Sequence, residues 1–499
     1  MISLGIDCGT QSTKCIALDL ETGKVIASAQ VAYGFVPDLP AGAMEQEPKW
    51  WSDATDQTIR EVLEKLGDRK AEVRAIGVSG QQHGLVVLDE ADEVIRPAKL
   101  WCDTSTVAQC EELTRQLGGV EALIAETGLP ILPGYTAGKI LWIKQNEPAN
   151  WARVRSILLP HDYLNFWLTG TKRMEFGDAS GTGLLNVRTR EWSRAVAEAI
   201  DPTLLEKLPP LGSSNVAHGV VRAELLKRWG LTEAPVVSAG GGDNMMAAIG
   251  TGNVKAGCVT ASLGTSGTLF AFSQTPVVDD KGEIAAFCDS TDHFMPLLCT
   301  MNVTLVTELT RELFDWTHDQ FDATASQVPA GAGGLLVLPY LAGERTPNLP
   351  NSSGVIHGLT PTNFNAAHLA RAAVEGVTLG LGYGLQRLRE LGIEPTEIRL
   401  TGGGSNSRVW RQICASVFGV PTVCLESGEG AALGGAIQGA WVWGQQTGSS
   451  ATLADLTARL VKLDESTRSL PNAADHAVYQ KAIAKSSALR QALVSASLL

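Results

Sequence analysis

The residues best suited to chemistry in this chain are carboxylates that stand beside runs of glycine. Val236-Val237-Ser238-Ala239-Gly240-Gly241-Gly242-Asp243-Asn244 reads as an apolar strand, three glycines, and an aspartate where Met245 to Ile249 begin a helix. Aspartate is a preferred helix N-cap, and a purely structural reading of Asp243 would stop there. Three glycines are costly for a cap alone, about 0.5–1 kcal/mol each relative to alanine in regular structure. They make sense where backbone must lie against a bound molecule. An aspartate so placed can accept a hydroxyl proton during phosphoryl transfer, so Asp243 is read as a general base. Asp7 closes the apolar run that starts at Ile2. It is suited either to bonding the N–H groups of the turn that follows, or to holding Mg2+, which takes one or two carboxylates and keeps several waters. The neighbouring turn favours the metal.

That turn, Gly9-Thr10-Gln11-Ser12, has a counterpart about half the chain away. Cys258 to Leu263, Gly264-Thr265-Ser266-Gly267 and Thr268 to Phe272 repeat the order of strand, Gly-Thr turn, strand. Such turns offer backbone N–H groups and hydroxyls to phosphate oxygens, because glycine allows close approach. One copy is weak evidence, since tight hairpins share this composition; two copies suggest a duplicated domain gripping successive phosphates of one nucleotide across a cleft. No G-x-x-x-x-G-K-[ST] occurs, so the device is not a P-loop. Gln82 and His83, in Gly80-Gln81-Gln82-His83-Gly84, and Asp103, in Leu100-Trp101-Cys102-Asp103, each follow a strand and suit sugar hydroxyls. Gly402-Gly403-Gly404-Ser405-Asn406 follows the strand Glu397 to Thr401 and offers a flat platform for adenine or ribose, or else an ordinary strand-to-helix loop. Gly428-Glu429-Gly430 lies one residue too far from Gly434 for a dinucleotide fingerprint, and reads as loop and close helix packing.

The elements that must position these groups form an α/β pattern. Ile2 to Asp7, Lys14 to Leu20 and Val25 to Val31 read as a strand meander, Pro48 to Leu66 as a helix, and Val73 to Val78 as a further strand. A long helix carries Leu369, Ala373, Val377, Leu381 and Leu385 on one face, and a stripe of Gly376, Gly380 and Gly384 that suits close packing. The last thirty residues suggest an amphipathic helix with Val478, Ile483, Leu489 and Leu493 buried. At 499 residues the chain exceeds one core, and two large domains or three ordinary ones are expected. A 44% apolar and 19% charged composition excludes whole-chain disorder. The net charge of -13, without a basic stripe, argues against nucleic acid or anionic membrane as partner. Nine cysteines without C-x-x-C spacing argue against a disulfide or zinc framework and for a reducing cytoplasm. Neither a signal peptide nor a membrane span is expected.

Two long segments resemble the signatures of the FGGY carbohydrate kinases: Gly134-Tyr135-Thr136-Ala137-Gly138-Lys139-Ile140-Leu141-Trp142 onward to Asn146, and Gly354 to Leu359 continuing through His368-Leu369 to Ala372-Ala373-Val374-Glu375. Within that family the chain is similar to the xylulokinase group, with Met44 to Trp51 and Gly343 to Pro347 adding to the likeness. The resemblance implies two actin-like (ribonuclease H-like) ATPase domains with an interdomain catalytic cleft. Their expected spans are 1–252 for a sugar-binding domain, 253–445 for a nucleotide-binding domain, and 446–499 for a helical extension. It implies ATP and Mg2+ as cofactors, a small sugar as substrate, and the homodimer common in the family. The implied reaction converts D-xylulose to D-xylulose 5-phosphate. Asp243 matches the family's catalytic base and Asp7 its metal-associated carboxylate. Gly9, Thr10, Gln11, Ser12, Gly264 and Thr265 match its phosphate turns, Gly402, Gly403, Gly404 and Asn406 its adenosine site, and Gln82, His83 and Asp103 its sugar pocket. Two departures lie in that pocket: Gln82 stands where the group commonly has methionine, and Thr104-Ser105-Thr106 follows Asp103 where many relatives place an arginine. D-Ribulose, L-ribulose or a pentitol are the alternative acceptors, and a non-catalytic nucleotide-dependent sugar-binding regulator is the alternative class.

Overall fold

A computed structural model describes residues 1–499, which form two compact units. The first comprises Met1–Val254, Ser273–Met295 and Glu429–Val461; the second comprises Lys255–Phe272, Pro296–Gly428 and Lys462–Leu499. The two compact units are interleaved along the chain. Residues 273–295 and 429–461 return to the first unit. The expected extension is split, and 462–499 supplies a strand, Leu463–Ser469, and a helix, Ala473–Ser495, to the second.

In the first unit the strand Ile2–Cys8 lies between Ser12–Asp19, antiparallel to it, and Val73–Gly80, parallel to it. Lys24–Ala32 continues the sheet beyond Ser12–Asp19, and Val236–Val237 with Gly219–Val220 continue it beyond Val73–Gly80. Alternation sends successive side chains of a strand to opposite faces. Ile2, Leu4 and Ile6 join Trp51, Ile59 and Val62 of the helix Pro48–Leu66 in one core. Ser3 and Gly5 face the other way, toward the helix Gly430–Gln446, where the Ser3 hydroxyl donates to Ala436 O at 2.7 Å. A Cβ at Gly5 would stand 1.9 Å from Ala432 O, and one at Gly77 would stand 1.9 Å from Gly435 O. Only bare backbone lets this helix lie so close to the sheet, which is why a segment so late in the sequence belongs here.

In the second unit Cys258–Leu263 pairs antiparallel with Gly267–Ala271 and parallel with Glu397–Thr401, and Thr422–Leu425 and Leu463–Ser469 follow in the same sheet. The long helix Ala366–Glu390 uses its small-residue stripe at two of three places. A Cβ at Gly376 would meet Val337 O at 2.6 Å and one at Gly384 would meet Leu298 Cδ2 at 2.1 Å, whereas Gly380 has nothing within 4 Å. On Ala473–Ser495 the buried residues are Tyr479 and Ile483; Val478, expected inside, stays half-exposed because its neighbour Tyr479 turns inward and bonds Arg371 and Glu375. No helix is long and apolar enough to cross a membrane.

Candidate active site

Three strand ends bring the two carboxylates together. Asp7 is in register with Ser79, and Gly241–Gly242 pairs in parallel with Ser79–Gly80, so Asp243 emerges one residue later beside the end of the first strand. The Ser79 hydroxyl donates to Asp7 Oδ1 at 3.0 Å. Burial pushes Asp7 up to about 6, with the Ser79 bond opposing, Glu429 adding and Lys14 opposing. Burial, reinforced by the charge of Asp7, pushes Asp243 up to about 7. Asp243 is the first residue of the helix Asp243–Gly250, and it does not cap the helix in the usual way. Its Oδ1 accepts the Asn244 N–H at 2.7 Å and Asn244 Nδ2 at 2.9 Å. No hydrogen bond is directed at Oδ2, which leaves one carboxylate oxygen for an incoming hydroxyl.

The glycine run before Asp243 is required by the protein itself. Gly240 has φ 71°, and a Cβ there would stand 2.6 Å from Val78 O. A Cβ at Gly241 would reach Ser290 Oγ at 2.1 Å, and one at Gly242 would reach Gln82 Cγ at 2.6 Å. Gln438, the one polar side chain in the Gly- and Ala-rich helix before its last two residues, fixes the segment. Its Oε1 accepts from Ser238 Oγ and Gly240 N, and its Nε2 donates to the carbonyls of Gly240 and Ser290. An amide in the middle of an apolar, Gly- and Ala-rich stretch is the sequence signal for this role.

Gln82 reaches Asn244, the residue after Asp243, and His83 follows Gln82 in the chain. Gln82 is 5% exposed; its Oε1 accepts from Asn244 Nδ2 at 2.7 Å, and its Nε2 donates to Met245 Sδ at 3.1 Å. His83 adopts a left-handed backbone with φ 63°, and its ring lies between Tyr135 and Phe287, with centroids at 5.0 and 5.8 Å. Lys139, from the first signature segment, holds this bend: fully buried, it donates to the carbonyls of His83, Gly134 and Tyr135. Burial lowers its affinity for the proton, to about 7, while three carbonyl partners favour the ammonium form.

Asp103 does not join the cluster as expected. Its Oδ1 accepts from Ser105 N and Oγ, and its Oδ2 accepts from Met44 N and from the buried Lys99 ammonium at 3.0 Å. With all these donors and no exposed surface, it braces the chain around residues 42–45 and 103–105 and offers no oxygen to a sugar. Behind the site lies a group that the sequence did not flag. His161 Nδ1 is 2.7 Å from Asp178 Oδ2, and Nε2 is 3.0 Å from Asp162 Oδ1. Burial opposes a charge on His161, but the flanking carboxylates outweigh it and raise the imidazole well above its usual range. Asp178 also accepts the His83 N–H, so this buried pair braces the bend at His83.

The turn Gly9 to Ser12 is held from outside by side chains. The Gln46 amide donates to Thr10 O at 2.7 Å, and Trp101 Nε1 donates to Thr10 Oγ1 at 2.9 Å. Gly9 N bonds Ser12 O, while the N–H groups of Thr10 and Gln11 find no acceptor in the protein, the condition a phosphate-binding turn requires. In the second unit Gly264 and Thr265 offer their carbonyls to Thr304 and Val303. Gly402, with φ 82°, lies on them: a Cβ there would be 2.6 Å from the carbonyl of Leu263 and 3.0 Å from Gly264 N. Gly402, Gly403 and Asn406 are exposed and Gly404 is buried against Trp410, so the second turn and the glycine platform share one end of the parallel strands.

Comparison with known proteins agrees with this arrangement. Residues 2–250 match the N-terminal domain of the FGGY family of carbohydrate kinases, and residues 259–443 match its C-terminal domain. The chain belongs to the FGGY family of carbohydrate kinases. This FGGY kinase is 43% identical to the xylulose kinase of Haemophilus influenzae over 96% of its own length and 97% of the relative's. Its structure resembles that of a xylulose kinase from Brucella ovis, with a TM-score of 0.92, 31% identity, and 99% and 100% of the two chains covered. A gluconate kinase from Lactobacillus acidophilus is similar to it at a TM-score of 0.91 and 27% identity, with 98% and 97% covered, so kinases of one architecture carry names with different sugars. As in other FGGY kinases the chemistry is phosphoryl transfer to carbohydrate. The donors available to a cation here are carboxylate oxygens, an all-oxygen set of the kind that Mg2+ takes: Asp7 has an oxygen to which no hydrogen bond is directed, and Asp243 is near enough for the two charges to act on each other.

Proposed function

We propose that the chain transfers the γ-phosphoryl group of ATP to the 5-hydroxyl of D-xylulose, giving D-xylulose 5-phosphate and ADP. The observation that carries this reading is the Asp243 carboxylate, with Oδ1 tied to Asn244, Oδ2 open, and the charge of Asp7 acting on it. The named relatives, xylulose kinases at up to 43% identity over nearly full length, support the choice of sugar. Asp243 Oδ2 accepts the hydroxyl proton as the sugar oxygen bonds to phosphorus and the bridging oxygen leaves with ADP. Asp7, with Asp243 nearby, would hold Mg2+, which would supply positive charge against the phosphate oxygens. Free N–H groups at Thr10 and Gln11 face phosphate oxygens, with Gly9 and Ser12 shaping the turn. On the second unit Gly264 and Thr265 take phosphate, and Gly402, Gly403, Gly404 and Asn406 take adenosine. His83 supports the sugar, oriented by Lys139. Nine cysteines without a disulfide suit a reducing cytoplasm, and a homodimer belongs to the same reading, checked by mass in solution.

The experiment is coupled ADP release with Mg2+ and ATP across D-xylulose, D-ribulose, L-ribulose, L-xylulose, xylitol, ribitol and glycerol. D-Xylulose turned over best is the expected result. A different preferred acceptor overturns the sugar assignment and leaves the kinase chemistry standing. No release above background with any acceptor overturns the reaction and favours the sugar-binding regulator.

A further inference from the structure

Gln82 stands where related kinases commonly have methionine, and its surroundings show what the amide does. The Asn244 Nδ2 group has two protons and spends both, one on Gln82 Oε1 at 2.7 Å and one on Asp243 Oδ1 at 2.9 Å. The Gln82 amide cannot turn over without losing a partner, because its Nε2 donates to Met245 Sδ at 3.1 Å on the fully buried side. Gln82 also lies against Gly242, the residue before the base, where a Cβ would stand 2.6 Å from Gln82 Cγ. Chain and side chain together form a link from Met245 through Gln82 and Asn244 to one oxygen of Asp243. With Oδ1 held at 2.7 Å by the Asn244 N–H as well, the torsion of the carboxylate is set and Oδ2 faces outward.

We propose that Gln82 is a positioning residue for the base, acting through Asn244 to fix the Asp243 carboxylate with Oδ2 toward the acceptor hydroxyl, and that it is not a ligand of the sugar. The argument rests on the reading of Asp243 as the base. A methionine at this position has no oxygen to accept the second Asn244 proton. The Asn244 amide then loses its anchor, and the Asn244 backbone N–H alone is left to fix the carboxylate. Proton transfer depends on the geometry of the reacting groups, so the loss falls on turnover and not on sugar affinity.

The test is a double-mutant cycle of Gln82→Met and Asn244→Ala, with kcat and sugar KM measured on the intact protein and folding followed by thermal melting. Gln82→Leu, which also lacks an accepting oxygen, serves if the methionine variant does not fold. The expected result is a kcat lowered about 10- to 100-fold with sugar KM unchanged. The double variant should be no slower than Asn244→Ala alone, since both remove one link. A sugar KM raised with kcat retained, or effects that add, overturns the proposal and makes Gln82 a sugar ligand. Gln82→Leu with unchanged kcat and KM overturns it as well. The base reading is tested apart from this, in Asp243→Asn; full turnover in that variant removes both.

Discussion

Replacing Gly434 with alanine tests how closely the helix Gly430–Gln446 controls the base. The new Cβ would stand 1.8 Å from Met246 O and 2.9 Å from Gly250 N, both backbone atoms of the helix that begins at Asp243. The packing is reciprocal, since a Cβ at Gly250 would stand 1.7 Å from Gly430 O. Carbon and carbonyl oxygen do not approach within 3.0 Å, so the helices must part by at least about 1.2 Å. Overpacking of this kind costs about 1–3 kcal/mol, and a backbone oxygen cannot swing aside, which places this site at the upper end. Alanine returns about 1 kcal/mol of helix propensity, leaving a net loss near 2 kcal/mol. Asp243 rides on the displaced helix, and a misplacement near 1 Å costs up to about 10²-fold in rate. Thermal unfolding and coupled ADP release at saturating sugar measure the two effects. Gly430→Ala is the internal control: nothing lies within 4 Å of its would-be Cβ, so stability within about 0.5 kcal/mol of the parent is expected. Gly434→Ala with unchanged melting and unchanged kcat would refute the claim that this contact fixes the base.

Asp243→Asn should abolish turnover, and in the parent kcat/KM should fall as pH drops through about 7, where Asp243 takes up a proton. Because its folded pKa lies above the ordinary 3.8, the native state pays for ionisation as pH rises between those values; without Mg2+ the asparagine variant should therefore melt higher at pH 8 and lose that advantage near pH 4. The gain should not exceed about 2 kcal/mol, since the partly exposed carboxylate is screened by water. Gly402→Ala combines a left-handed φ with a 2.6 Å clash against Leu263, and should raise the KM for ATP while leaving sugar KM alone. Lys139→Met leaves three carbonyls without their buried donor, and should lower stability by about 2–4 kcal/mol and raise sugar KM through loss of the His83 bend. A variant with parental sugar KM would show that His83 keeps its place without the lysine.

What the sequence disclosed was local. The helix Pro48–Leu66 and the strand Glu397–Thr401 run where proline, glycine and apolar periodicity placed them, because such signals act over a few residues. The paired Gly-Thr turns and the Gly-rich approach to Asp243 were legible for the same reason. The purpose of that glycine run was not. Glycines in such a run suggest room for a ligand, and the structure fills the space with Val78, Ser290 and Gln82, partners that nothing in the local sequence announces. Asp103 looked available after a strand end, yet four donors surround it, two of them from residues 44 and 99. His161 and Asp178 are separated by seventeen positions without a shared motif, and only the fold sets them at 2.7 Å.

The late return of the chain to the first unit has a consequence for synthesis. The strand that carries Asp7 meets its covering helix through partners 433 positions apart, Ser3 and Ala436. Until the ribosome has released that helix, one face of the central sheet and the flank of the helix beginning at Asp243 remain uncovered. The half of the protein made first thus cannot finish folding first, and a fragment ending at Val254 lacks the wall against which its base is set.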